Sequence, residues 1–133
     1  MSLTQVHAAV ANACLIFSLI IAGYGFLRYA RRQGIDANFW GALAAGEVLF
    51  LAQAVLGLLL LAGGLRPART AVHILYGVIL ALIIPGVYAM THGRDGRREV
   101  LIYALWGLFL AGISLRAMST AVPALVGAWL RGL

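Results

Sequence analysis

Residues 39–90 read FWGALAAGEVLFLAQAVLGLLLLAGGLRPARTAVHILYGVILALIIPGVYAM, two long apolar runs separated by a short break around GGLRPAR. A helix that crosses a bilayer takes about 20 apolar residues, and both runs reach that length. Neither run has the alternation of a membrane barrel strand, and open sheet edges are excluded in lipid. The paired Gly63 and Gly64 and then Pro67 end the earlier run, and Thr70 is placed to cap the later one. The stretch therefore predicts a tight hairpin of two spanning helices, over about 39–61 and 71–90, with Pro85 as a candidate kink.

The flanks repeat the pattern. Upstream, an apolar run over about 6–29 ends in RYARRQGID (residues 28–36), where Asp36 or Asn38 is a candidate helix cap. Downstream, THGRDGRRE (residues 91–99) carries charges that cannot remain in hydrocarbon, and a fourth run extends over about 100–118. The remaining stretch, 120–133, contains Pro123 and is too short to span again. Its Val122, Leu125, Val126, Trp129 and Leu130 suit a helix lying flat in the interface, with Trp129 and Arg131 among the headgroups. The fold class expected is all-α, a single integral membrane domain built as an antiparallel four-helix bundle with a short C-terminal interfacial segment.

Composition agrees. Of 133 residues 63% are hydrophobic and 11% charged, and the mean hydropathy of +0.97 excludes a water-soluble enzyme domain. Four spans use roughly 80 residues, which leaves no room for a second domain. The net charge of +6 comes from ten arginines, without lysine, against Asp36, Glu47, Asp95 and Glu99. These arginines punctuate apolar runs, so they read as topology signals and nucleic acid is not an expected partner. The lone Cys14 can form no intrachain disulfide. The segment before the opening run has no positive charge, unlike a cleavable leader, so that span is expected to be retained. Arg28, Arg31, Arg32, Arg94, Arg97 and Arg98 lie on one side, and Arg66, Arg69, Arg116 and Arg131 on the other. The bias places the two basic connectors in the cytoplasm and both termini outside.

Ionisable residues within spans are rare because burying them is expensive, so each is a candidate for function. At about 1.5 Å per residue, His7 lies roughly 31 Å above Arg28, His73 roughly 27 Å above Thr91, and Arg116 roughly 25 Å above Glu99. All three share the outer layer. On helix one His7 shares its face with Ala11, Cys14, Ser18, Ala22 and Gly25, a stripe of small residues that calls for a closely packed neighbour. His73 is followed one turn on by Gly77, and Arg116 is preceded one turn back by Gly112. In an up-down bundle helices one and three are diagonal, so His7 and His73 can approach one iron from opposite sides. Gly77 leaves room for a flat macrocycle, and Arg116 can pair with a propionate in a partly desolvated site. These are the parts of a bis-histidine b-type haem site. The same pair can hold a chlorophyll-type pigment, and each histidine taken alone also fits an ordinary polar residue near a span end.

The stretch from Ala42 to Gly86 resembles a two-span unit of small bacterial membrane cytochromes of the b561-like and haem A synthase-like kind. In those families a leucine-rich helix precedes a short turn and a helix led by a histidine ligand, a pattern that Gln53 to Gly57 and His73 match. The resemblance implies a haem-binding electron-transfer protein of the bacterial inner membrane. Helices two and four carry no further histidine, which leaves a two-haem arrangement without its ligands. The whole chain also resembles uncharacterised four-span bacterial membrane proteins.

Glu47, roughly a dozen Å above the cytoplasmic end of helix two, is a possible proton site, beside a quinone in one reading and a structural hydrogen bond between helices in another. Tyr24, Tyr88 and Tyr103 lie near the same level and offer hydroxyls. Gln53 reads as glue between helices, Trp40 and Trp106 as belt or packing residues, and His92 as a solvated loop residue. Two further classes of function stay open: a cofactor-free accessory or scaffold subunit of a larger membrane complex, and a small proton-coupled transporter around Glu47. Oligomeric state is left open.

Overall fold

The computed structural model describes residues 2–121, and the four expected spans are four α-helices: α1 (Leu3–Ala30), α2 (Ala37–Ala62), α3 (Thr70–Met90) and α4 (Arg97–Ala121). They are the only regular elements among the described residues. Each contains its expected span and overshoots it by no more than three residues at either end, because the caps sit in the polar flanks outside the apolar run. The expected interfacial segment, from 122 onward, lies outside the described residues.

Local chemistry sets the helix ends. Ser2 caps α1 in a capping box: its Oγ accepts from the Gln5 N–H at 3.2 Å, and the Gln5 Oε1 accepts from the Ser2 N–H at 2.8 Å. Asp36 caps α2 by accepting from the Phe39 N–H at 2.9 Å. Thr70 does not cap α3. The cap position falls on Arg69, which makes no capping bond, and the Thr70 hydroxyl donates to the Pro67 carbonyl at 2.9 Å. The start of α3 is tied to α4 instead, where the Arg69 N–H donates to the Thr120 carbonyl at 3.0 Å. α3 runs on through Pro85 to Met90 without a break in the helix.

α1 packs on α2 and α4, and α3 packs on the same two helices, so α1 and α3 form one diagonal of the bundle and α2 and α4 the other. The small-residue stripe of α1 finds its neighbour in α4. A Cβ on Gly107 would lie 2.9 Å from the Ala22 nitrogen and 3.1 Å from the Ser18 carbonyl oxygen, and one on Gly25 would lie 2.8 Å from the Ala104 Cβ. Cys14, Ser18, Ala22 and Gly25 are all buried. The Ser18 hydroxyl donates back to the Cys14 carbonyl at 2.8 Å, so this serine is satisfied within α1, whereas the buried Ser114 Oγ of α4 has no partner.

The two basic connectors are joined to each other. The Ile35 N–H donates to the Asp95 carbonyl at 2.8 Å. Arg97 crosses from the start of α4 to the end of α1, donating to the Tyr29 carbonyl at 2.8 Å and lying 3.8 Å from the Tyr29 ring centre. Arg28 holds Asp36 at 3.1 Å, and Arg94 holds Glu99 at 3.2 Å.

Outward faces are apolar. Ile16, Ile20, Val48, Leu58, Leu82 and Leu115 each expose more than half of their surface, an arrangement that suits hydrocarbon and not water. With four helices long and apolar enough to cross a bilayer, the chain has the build of a multi-pass membrane protein. Because the α1–α4 seam leaves no space beyond Gly107, Gly107→Leu should lower stability in detergent by about 1–3 kcal/mol. Gly112→Ala, at a position where a Cβ meets nothing within 4 Å, should leave it unchanged; thermal unfolding followed by circular dichroism compares the two.

Candidate functional site

At the end of the bundle opposite the basic connectors, all four helices contribute to one polar layer. His7 of α1 and His73 of α3 face each other across the diagonal, with ring centres 6.3 Å apart and ring planes at 68°. Both rings are half-buried. The His73 Nδ1 lies 2.8 Å from the Ala117 carbonyl oxygen and 3.2 Å from the Thr120 Oγ1 on α4. A carbonyl only accepts, so Nδ1 carries the proton and donates it, which leaves the His73 Nε2 with its lone pair. The Thr120 hydroxyl hydrogen is directed to the same Ala117 carbonyl at 2.8 Å.

His7 is held from α2. The Gln53 Nε2 donates to the His7 carbonyl at 2.9 Å, joining α1 to α2, as expected of an interhelical amide. A Cβ on Gly57, one turn on, would stand 3.4 Å from the His7 Cε1. Two polar atoms of this layer, the His7 Nδ1 and the Gln53 Oε1, are buried without a hydrogen-bond partner.

Bonds from a metal to imidazole nitrogen are about 2 Å long, so two imidazoles that share one metal have ring centres within about 6.5 Å of each other. The two rings, at 6.3 Å, are near enough for one ion to reach both, while the Cε1 edge of His7 lies against Gly57 of α2. An Nδ1–H held by a backbone carbonyl is also how ligand histidines are commonly oriented. Among the described residues no group of three or more His, Cys, Asp or Glu side chains is placed to hold a metal ion. The pair offers two ligands, which suits a metal that brings its remaining ligands with it. Gly77, one turn below His73, has nothing within 4 Å of where a Cβ would stand.

The other candidates lie elsewhere. Arg116 stands on α4 beside Ala117 but is exposed, so the partly desolvated setting expected of it is not what surrounds it. Glu47 belongs to a lower level of α2; it is half-buried, and its Oε2 has no partner. Tyr24, Tyr88 and Tyr103 join an aromatic cluster toward the basic end: Trp40 lies 5.7 Å from Tyr88 and 5.9 Å from Tyr103, and Phe39 lies 5.4 Å from Tyr24 and 6.2 Å from Tyr103 between ring centres. Trp40 is thus a packing residue. His92 is exposed, as a loop residue should be, with φ of 51°.

Sequence reasoning missed Thr120 and the Ala117 carbonyl. The carbonyl has no signature in a sequence, whereas the position of Thr120 one turn past Arg116 was a usable signal. Comparison with protein-family models, with curated proteins and with solved structures finds no match for the chain.

The Gln53 bond is the link that fixes the backbone of His7. Gln53→Leu should therefore cost about 0.6 kcal/mol, with about 1.7 as the upper bound for such bonds between membrane helices. Urea or detergent unfolding of the variant measures the loss.

Proposed function

We propose that the chain is a b-type haem-binding electron-transfer protein, or a cytochrome subunit, in which His7 and His73 would hold the haem iron. The observation that carries this reading is the pair of imidazoles presented from diagonal helices at 6.3 Å, one of them already oriented by a backbone carbonyl. A porphyrin carries four nitrogens for its iron, so side chains such as His7 and His73 would have only the remaining ligands to supply. When bound, haem supplies one-electron exchange between ferrous and ferric iron.

The residues of the chain do the rest. Ala117 and Thr120 hold the His73 ring in one orientation and one tautomer. Gln53 fixes the His7 backbone, and Gly77, one turn from His73, has open space where a Cβ would stand. Arg116 is a cation available to a propionate, as is Arg69 at the start of α3. Because Arg116 is exposed, its pairing is worth about 0.2–1 kcal/mol, less than a desolvated charged hydrogen bond would give. The location proposed is a bacterial inner membrane, with the connectors of Arg28–Arg32 and Arg94–Arg98 in the cytoplasm and the histidine layer near the outer face. A lone pair of imidazoles also fits a magnesium tetrapyrrole, which an absorption spectrum distinguishes.

Protein purified from haem-replete cells should be red, with a Soret band that His7→Ala and His73→Ala each abolish. Arg116→Leu should weaken haem retention by no more than about fivefold and lower the midpoint potential, since the cation opposes the added charge of ferric iron. A colourless but fully helical wild-type protein from the same cells would rule the proposal out.

A further inference from the structure

A second feature lies near the opposite end of the bundle. Ile79, Leu82, Ile83, Gly86 and Met90 of α3, with Trp106 of α4, line an apolar groove of about 310 Å³. It exists because Gly86 presents no side chain: a Cβ there would have nothing within 4 Å. From Ile79 to Met90 the groove follows α3 for eleven residues, about 16 Å at the helical rise. Half of a hydrocarbon core of about 30 Å is the same length, so the groove matches one acyl chain of a single leaflet.

Charge at the mouth of the groove chooses the headgroup. Met90 ends α3, the connector that follows carries Arg94 and the exposed Asp95, and Arg97 and Arg98 open α4. Arg94 is paired with Glu99, and Arg97 is engaged by the carbonyl and ring of Tyr29. Arg98 is exposed and has no ion-pair partner among the described residues. It stands eight residues before Trp106, about 12 Å along α4 toward the connector, where a headgroup would lie if its chain filled the groove.

We propose that the α3–α4 groove is a binding site for one anionic phospholipid of the leaflet on the basic side, its acyl chain between Gly86 and Trp106 and its phosphate at Arg98. The site is independent of the histidine layer and of any haem. One arginine near an anionic surface is worth about 1 kcal/mol, which corresponds to about a fivefold preference over a zwitterionic lipid.

The test uses the full chain in phosphatidylcholine vesicles containing a small equal fraction of either phosphatidylglycerol or phosphatidylcholine with brominated acyl chains, which quench nearby tryptophan. Brominated phosphatidylglycerol should quench more than brominated phosphatidylcholine, with a preference near fivefold in apparent affinity. The excess should vanish in Trp106→Phe, which assigns it to the groove, and in Arg98→Gln, an exposed substitution that leaves packing intact. Gly86→Leu should reduce quenching by both lipids. Equal quenching by the two lipids, an excess that survives Arg98→Gln, or a groove shielded from both lipids by a second copy of the chain would each overturn the proposal.

Discussion

Without a Cβ on Gly107, α4 approaches the backbone of α1 at Ser18 and Ala22, and most of the architecture follows from that approach. In a bilayer, helices gain nothing from hiding apolar side chains from water, so close packing and polar contacts decide which pairs meet. The α1–α4 seam joins the outermost helices of the sequence. Once it is made, short connectors leave α2 and α3 to close the ring, and α1 and α3 face each other across the diagonal. The meeting of His7 with His73 is therefore a consequence of a seam formed elsewhere along α1.

The two ends of the bundle are built from different chemistry. Toward the connectors, aromatic rings fill the interior, and three arginines are committed to Asp36, Glu99 and the end of α1. At the other end, two imidazoles, an amide and a hydroxyl occupy the interior with part of their hydrogen-bonding capacity unused. An interior that retains unsatisfied polar atoms gives up stability, and the buried Tyr103 hydroxyl, Glu47 Oε2 and Ser114 Oγ share that deficit outside the histidine layer. The apolar groove between α3 and α4 lies on the lipid-facing side and draws on neither set of residues.

The fold was legible because the four apolar runs are long, and because glycine, proline and arginine mark where each one stops. The diagonal relation of His7 and His73 was legible too, since up-down connectivity with short loops leaves little choice. Other features were less accessible. Thr70 has the residue type of a cap, but its hydroxyl bonds to Pro67, a local competition that residue type does not resolve. Arg116 matches the histidines in depth, yet depth along a helix says nothing of azimuth, and its side chain is exposed. The carbonyl that orients His73 belongs to an alanine, which no motif would single out.

The bond between the connectors, from the Ile35 N–H to the Asp95 carbonyl, makes the basic end the fixed end of a set of levers. The histidine layer lies at the far end of those levers, about 27 Å away along α3 at the helical rise. A tilt of one degree over that length displaces a side chain by about 0.5 Å, a large fraction of the tolerance of a hydrogen bond. The spacing of the two imidazoles thus depends on the angle between helices joined at the opposite end as well as on the bonds from Gln53, Ala117 and Thr120 beside them. A change of helix angle at the connectors is carried to the histidines except as far as the Arg69–Thr120 and Gln53–His7 bonds absorb it.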